Sequence, residues 1–300
     1  MMAYRMLYAH ANRINQSIMD VEVIFSHTKI IIYSSALSNM AEYHQLPTKD
    51  LVPTECFQIL NKEAEIKAAS CEQADVPSVD HLKMADYNLV YEPSDDTFLM
   101  LDALQAEFGG EHNIDRLNSI CNTLEIGSGT GVSTVFLGKL LQEKGNLKAK
   151  LFATDINKDA IRVTQGMAEA NNLNKGSLNA IRCDLATPLL DDLNNSVDVL
   201  IFNPPYVPTP EREVGSDGIE ASWAGGKDGR VVFDRAMPQI ASLLSWPNGT
   251  AYIIAVDDNK PEDIANVMMQ KYGIKVEPLV RRRARNEYLS VLRFTLTKKL

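Results

Sequence analysis

From about Asp86 onward the chain alternates short apolar runs with amphipathic segments of roughly 10–15 residues, and few folds accept that pattern. A helix of this length after a strand returns the chain to the end where the strand began, so the next strand runs parallel. The strand candidates are Ile120–Ile126, Lys150–Asp155, Leu178–Cys183, Val197–Phe202 and Thr250–Val256, with Lys275–Val280 and Tyr288–Thr295 at the end. The helix candidates are Asp95–Glu107, Val132–Glu143, Lys158–Asn171, Arg230–Leu244 and Pro261–Lys271. The last two strands are joined only by Arg281 to Glu287, too short for a crossover, so they should pair antiparallel as a hairpin. The expectation is an α/β fold: a doubly wound, mostly parallel sheet of about seven strands closed by that hairpin.

Residues 1–85 have a different texture. They show no sustained helical or strand period, Pro47, Pro53 and Pro77 are scattered through them, and Thr54–Ser70 is the one helix-friendly stretch. They read as a poorly ordered or loosely attached extension ahead of a domain spanning 86–300. Both parts are acidic, with 7 basic against 10 acidic residues over 1–85 and 23 against 29 over 86–300, so the net charge of −9 is not a product of the extension. That balance argues against a protein that grips nucleic acid through its own phosphate-binding surface. Cys56, Cys71, Cys121 and Cys183 lie far apart and form neither a disulfide framework nor a zinc site, so no metal is expected and a reducing compartment, cytoplasmic or nuclear, is. The first 19 residues carry Arg5 and Arg13 and no acid, which leaves an organelle presequence open. No apolar run reaches the roughly 20 residues needed to cross a bilayer, so no membrane association is expected.

Chemistry concentrates at the ends of the strand candidates. Leu124-Glu-Ile-Gly-Ser-Gly-Thr-Gly131 leaves the first strand and opens a helix at Val132. Gly127, Gly129 and Gly131 let the backbone turn sharply and approach a ligand, while the helix N-terminus offers free N–H donors; a plain tight turn is the alternative. Glu125 aims a carboxylate at the same crevice. Asp155 ends the next strand, where an acid in a nucleotide-binding α/β fold takes ribose hydroxyls. Asp184 repeats the arrangement after the third strand, with Leu185 beside it; it suits an exocyclic amine of adenine, or a helix N-cap. Phe202-Asn-Pro-Pro-Tyr206 follows the fourth strand and is the most specific piece. Consecutive prolines stop strand pairing and stiffen the loop, so the Asn203 side-chain oxygen and the Pro204 carbonyl can face a cavity as two acceptors for one planar –NH₂ group. Pro205 and Tyr206 complete the substrate wall, Tyr206 offering an aromatic face.

Together these residues resemble the class I S-adenosylmethionine-dependent methyltransferases that carry an Asn-Pro-Pro-Tyr motif, which act on amide or aromatic amine nitrogens. The stretches Val90-Tyr-Glu-Pro-Ser-Asp-Asp-Thr97 and Glu213-Val-Gly-Ser-Asp-Gly-Ile-Glu-Ala-Ser-Trp-Ala-Gly-Gly-Lys-Asp-Gly-Arg230 make the chain similar to the short eukaryotic and archaeal HemK branch. Residues 1–85 do not look like the helical substrate-recruiting domain that precedes the bacterial HemK catalytic domain. The resemblance implies a Rossmann-like fold, S-adenosylmethionine as donor, and a glutamine of the class 1 translation termination factor as substrate. It further implies Tyr91 and Thr97 at the methionine end of the donor and Glu125 and Gly127 along its methionine–ribose section. Asp155 with Ile156 would lie at the ribose, Asp184 and Leu185 at the adenine, and Asn203 to Tyr206 at the glutamine. A small zinc-binding activator subunit is the implied partner, with Leu178–Cys183 as its candidate docking edge, and no sequence-specific nucleic-acid binding is expected. The alternative is a methyltransferase for another amine, on DNA adenine, histone lysine or a small molecule.

Each of the remaining features carries two readings. Gly225, Gly226 and Gly229 bracket Lys227 and Asp228, and either shape a substrate cleft or simply lead into a helix. Trp223 reads as a core aromatic more readily than as a lid. The run Arg281-Arg-Arg-Ala-Arg285 reads as a solvated hairpin loop, with contact to an RNA-bound or acidic protein partner as the sharper option. His10, His27, His44, His81 and His112 all fall outside the motifs and take no catalytic role.

Overall fold

Strands apolar on both faces are stable only with helices on both sides of the sheet, and that is how this chain folds. The computed structural model describes residues 74–299 except 111–112, 216–218 and 285–286, all within the unit Leu51–Leu300. The Thr54–Ser70 helix candidate and most of the 1–85 extension lie outside the described residues. The described elements run α1 (Met84–Tyr87), α2 (Asp95–Phe108), α3 (Ile114–Ser119), β1 (Asn122–Ile126), α4 (Val132–Glu143), β2 (Lys150–Asp155), α5 (Lys158–Ala170), β3 (Leu178–Arg182) and β4 (Val199–Phe202). They continue with β5 (Val207–Pro208), β6 (Ala224–Gly226), α6 (Val231–Leu243), β7 (Thr250–Val256), α7 (Pro261–Tyr272), β8 (Ile274–Ala284) and β9 (Glu287–Leu296).

The main sheet has seven strands in the order β3-β2-β1-β4-β7-β9-β8. The strands β1 to β4 and β7 pair parallel, and β9 is antiparallel to both of its neighbours. The order reverses between β1 and β4, where Glu125 lies opposite Ile201 and Ile126 opposite Phe202. Along β4, Val199 and Ile201 join the core under α2, α3 and α4, while Leu200 and Phe202 join the opposite core under α6 and α7. The segment 74–85 also packs here: Ala74, Val79 and Leu82 sit against buried side chains, and the Ser78 amide donates to Asn171 Oδ1 at 2.7 Å.

Three features differ from the sequence expectation, each for a visible reason. The fourth strand starts at Val199 rather than Val197, because the Asp198 carboxylate accepts the backbone N–H groups of Cys121 and Asn122, at 2.7 and 3.1 Å, and so fixes where β1 begins. The short helix α3 and the two-stranded β5–β6 sheet carry too few residues to show a period. The arginine run is no solvated loop: Arg281 to Ala284 continue β8, paired with Glu287 to Ser290. Asp257 accepts two hydrogen bonds from Arg281, at 2.7 and 2.9 Å, and Arg282 pairs with Asp102 at 2.5 Å, which allows a basic run to stay in register.

One charge cluster ties the far end of the sheet to the α2 layer. Glu107, 7% exposed, accepts from Tyr252 Oη at 2.9 Å and from Arg116 and Arg293 at 3.2 Å each. Removing the carboxylate leaves the buried Tyr252 phenol without its acceptor and takes from Arg116 and Arg293 the carboxylate they share, although Arg293 keeps Glu277 at 3.5 Å. Glu107→Ala should therefore lower the unfolding free energy by about 3–5 kcal/mol in urea denaturation; a loss under about 1 kcal/mol would mean that water replaces the carboxylate.

Candidate active site

Because β1 and β4 are neighbours pointing the same way, the loops that follow them emerge side by side, about 4.8 Å apart at the strands. A cavity of about 300 Å³ opens at this point and is lined on one side by the 127–130 turn and on another by Asn203 and Pro205. The size is that of a small-molecule site.

Glu125 is the floor of this cavity and is 4% exposed. Its carboxylate accepts the Thr134 backbone N–H at 3.0 Å and the Thr134 hydroxyl, both from the first turn of α4. Burial pushes its pKa up to about 7, against the opposing pull of the Thr134 hydrogen bonds. Asp155, at the end of β2, accepts from the Gly129 amide at 2.9 Å and the Asn157 amide at 2.8 Å. Burial raises its pKa as well, and those backbone bonds work against the rise.

The cavity brings together Tyr91, Thr97, Glu125, Gly127, Gly129 and Asp155, and also Ile156, Asp184, Leu185, Asn203 and Pro205. Three of the sequence-identified residues stand outside its wall. Gly131 is the N-cap of α4 at φ +80°, where a Cβ would come within 2.8 Å of Thr164. Pro204 faces a separate small cavity beside Phe233 and Asn259. The Tyr206 ring is turned so that its hydroxyl donates to Asp96 at 3.3 Å. The Asp184 carboxylate does not cap a helix; it pairs with Arg235 of α6, which also lines the cavity.

Sequence reasoning missed Asp96. This residue, 3% exposed in the first turn of α2, accepts from Asn203 Nδ2 at 3.0 Å and from Tyr206 Oη on the same oxygen, while its other oxygen takes the Thr97 amide at 2.7 Å. Its neighbour Thr97 was legible, but an acid in the first turn of a helix ordinarily answers the helix dipole. The consequence for Asn203 is polar: with Nδ2 committed to a carboxylate, Oδ1 points away, buried and without a hydrogen-bond partner.

The 207–229 loop is built against this constellation. The Tyr206 carbonyl accepts from Asn259 at 2.9 Å, and Gly229, at φ +65°, lies so close that a Cβ there would fall 1.9 Å from that carbonyl oxygen. Gly225, Gly226 and Gly229 stand outside the cavity wall, and Gly229 lines the separate small cavity beside Pro204. Trp223 is half-buried and belongs to neither core.

The human Methyltransferase HEMK2 is 42% identical over 215 residues, covering 72% of this chain and 94% of its own length. The eRF1 methyltransferase catalytic subunit mtq2 of Schizosaccharomyces pombe is 36% identical over 224 residues, 72% of this chain and 94% of that protein. The solved Mtq2-Trm112 complex of E. cuniculi, described as responsible for methylation of the eRF1 translation termination factor, matches at 26% identity with a TM-score of 0.47, covering 69% of this chain and 99% of that one. No family model matches the chain. With a parallel sheet reversed at β1/β4 and a glycine turn over paired acids, the molecule is a methyltransferase of the class I type. Within that class it belongs to the HemK-like family, in the branch that holds HEMK2 and mtq2.

The raised Glu125 pKa has a consequence for stability. In the unfolded chain this carboxyl ionises near its ordinary 4.5, and in the folded protein near 7. Its contribution to stability is complete below the lower value and is lost as pH rises through the upper one. Glu125→Gln should therefore match the wild type at pH 4 and exceed it by about 3 kcal/mol at pH 8 in urea denaturation; equal stability at pH 8 would mean that the carboxylate is solvated.

Proposed function

We propose that the protein transfers a methyl group from S-adenosylmethionine to the side-chain amide nitrogen of a glutamine, that of the Gly-Gly-Gln motif in the class 1 translation termination factor. The observation that carries this reading is the Asn203 side chain, held by Asp96 through Nδ2 and presenting a buried, unpartnered Oδ1. A buried acceptor left unmade costs about 1–3 kcal/mol, so a site that keeps one is adapted to a ligand that donates. A primary amide or an amine is such a ligand.

The cavity residues fit the donor. Glu125 and Asp155 are acceptors for its hydroxyl and ammonium groups, Ile156 and Leu185 are apolar surfaces for its ring, and the 127–130 turn admits it closely because its glycines carry no side chain. Tyr91 and Thr97 would lie toward its methionine end, and Asp184, oriented by Arg235, toward its adenine. Bound there, the donor supplies a methyl group on a sulfonium. The protein's own task is to present a poor nucleophile well. An amide lone pair is delocalised into its carbonyl, and among the described residues no His or Lys lines the cavity as a base. Asn203 Oδ1 instead accepts one amide hydrogen, which aims the nitrogen and favours the positive charge that grows on it. Asp96 keeps Asn203 from turning over, and Tyr206 keeps Asp96 in place. The assignment of a termination factor as substrate is supported by the relative from Schizosaccharomyces pombe, whose name gives it eRF1. That substrate puts the reaction in the cytoplasm.

Asn203→Ala should lower kcat by about 10²–10³-fold while leaving donor affinity within about threefold, read by methyl transfer and by calorimetry. Asp96→Leu should give much of the same loss. Near-normal kcat in Asn203→Ala overturns the mechanism, and unchanged labelling when the Gly-Gly-Gln glutamine is replaced overturns the substrate.

We further infer that a small zinc-binding activator subunit adds to the open edge of β3. The two sheet edges are not alike. The β8 edge carries Pro278, a bulge beside it, and charged residues along its length, all of which discourage pairing. The β3 edge is five residues with no proline and no bulge, flanked by Ile156, which is 44% exposed. The name of mtq2 as a catalytic subunit agrees with such a partner. Co-expression with the activator should yield a soluble 1:1 complex in gel filtration, and a monodisperse, fully active chain on its own counts against the inference.

A further inference from the structure

β4 and β7 are parallel neighbours, but β7 runs further. Phe202, the last residue of β4, lies opposite Ile253, and β7 continues to Val256. The turn that follows, Asp257–Asn259, therefore stands about 10 Å beyond the end of β4, level with the loop that carries Asn203 to Tyr206.

Asn259 is the residue of this turn that reaches across to that loop. It is buried, and every hydrogen-bonding group of its side chain is used. Oδ1 accepts the Val256 amide at 2.8 Å, which closes the turn on itself. Nδ2 donates to the Tyr206 carbonyl at 2.9 Å and to the Asp228 carbonyl at 3.0 Å. One side chain thus joins the loop after β4, the segment that leads into α6 and the turn after β7. Only one orientation works, because carbonyl oxygens only accept and the side facing both of them must be the –NH₂. The surroundings are locked as well. Lys260, at φ +55°, pairs with the Asp228 carboxylate at 2.8 Å, and Asp228 is itself at φ +56°. Left-handed backbone at two non-glycine residues persists only where neighbouring contacts over-determine it. Arg230, also buried, pairs with Asp234 and Asp263 and so ties the start of α6 to α7.

What Asn259 holds matters because of what lies between Tyr206 and Asn203. The rings of Pro204 and Pro205 fix φ at both residues, and Asn203 and Pro204 are each followed by a proline, which narrows ψ. The tetrapeptide is therefore a strut, and fixing the Tyr206 carbonyl at one end limits where Asn203 can stand at the other. Asp96 holds the side chains of this strut from the α2 layer, through Asn203 Nδ2 and Tyr206 Oη. Asn259 holds its backbone from the opposite side, lining with Pro204 the small cavity behind the loop and not the large one in front of it.

We propose that Asn259 is a positioning residue for methyl transfer: by holding the Tyr206 carbonyl it sets the placement of Asn203 Oδ1 and the Pro204 carbonyl toward the glutamine amide. This deepens the reading of Asn203 as the residue that receives the amide, and rests on it. The donor half of the site is built from the 127–130 turn, Asp155 and Asp184, none of which bonds to Asn259. Loss of Asn259 is therefore felt in the chemical step and not in donor binding.

The test uses the full chain co-expressed with its activator, the intact termination factor as substrate, and two variants. Asn259→Asp keeps an oxygen for the Val256 amide but has no –NH₂ for the two carbonyls; Asn259→Ala removes both functions. Each should lower kcat by about 10–100-fold, the effect of a displacement of about 1 Å or less at the reacting group. The donor dissociation constant, read by calorimetry, should stay within about twofold of the wild type in both. Asn259→Asp as active as the wild type would overturn the proposal whether or not Asn259→Ala is impaired, because closing the turn would then be all that the residue does. A donor affinity that falls in step with kcat would overturn it too, as the mark of a general loosening of the fold. Failure of the underlying reading looks different: the wild-type complex would then label a factor lacking the Gly-Gly-Gln glutamine as well as it labels the intact one.

Discussion

β1 and β4 are hydrogen-bonded side by side and covered by helices on both faces, and the rest of the molecule follows from that arrangement. Strands packed this way have little room for polar side chains along their length, so the chemistry is pushed to their C-terminal ends. There the two chains leave as neighbours, one through glycines and the other through prolines. The glycines give a turn open enough for a ligand to touch the backbone. The prolines give a loop too stiff to fold back over that ligand. The one acid within β1 and β4, Glu125, sits at the junction and pays for its burial with a pKa far above that of an ordinary glutamate.

What makes this crevice selective is a question of polarity at a single side chain. An amide can be turned either way in a pocket at almost no steric cost, and the two orientations would recognise opposite partners. Asp96 removes that ambiguity because its Oδ2 takes the Asn203 amide and the Tyr206 hydroxyl together. Its position comes from α2, a helix far from β4 in sequence, and its second partner, Tyr206, comes from the same loop as Asn203. The site is thus a closed circuit between two layers of the fold.

The sequence made the sheet legible because alternating apolar runs and amphipathic segments have one good solution, and Lys150–Asp155, Val132–Glu143 and Thr250–Val256 stand where their patterns end. It made the residues at strand ends legible for the same reason: Glu125, Asp155, Asp184 and Asn203 all line one cavity. Contacts between distant segments were not legible. Asp96 reads locally as a helix-start acid, Arg235 as one more surface charge, and Arg281 as part of a loop. Each acquires its role from a partner 50 or more residues away or across a sheet, as Asp96 does from Asn203 and Arg235 from Asp184. Pro204 and Tyr206 show the converse: the motif locates them, but their side chains serve the loop's shape and the grip on Asp96 rather than the cavity wall.

β9 is the last strand in sequence, yet it lies between β7 and β8 in space. During synthesis every other strand leaves the ribosome before it, and β8 has no strand to pair with until β9 follows. The sheet can be laid down as far as β7 while translation proceeds, but its far edge closes only once β9 has been made. A message cut short before Glu287 would yield a protein with the whole donor crevice encoded and two long strand edges left bare. Synthesis of β9 is therefore itself a folding checkpoint for this enzyme.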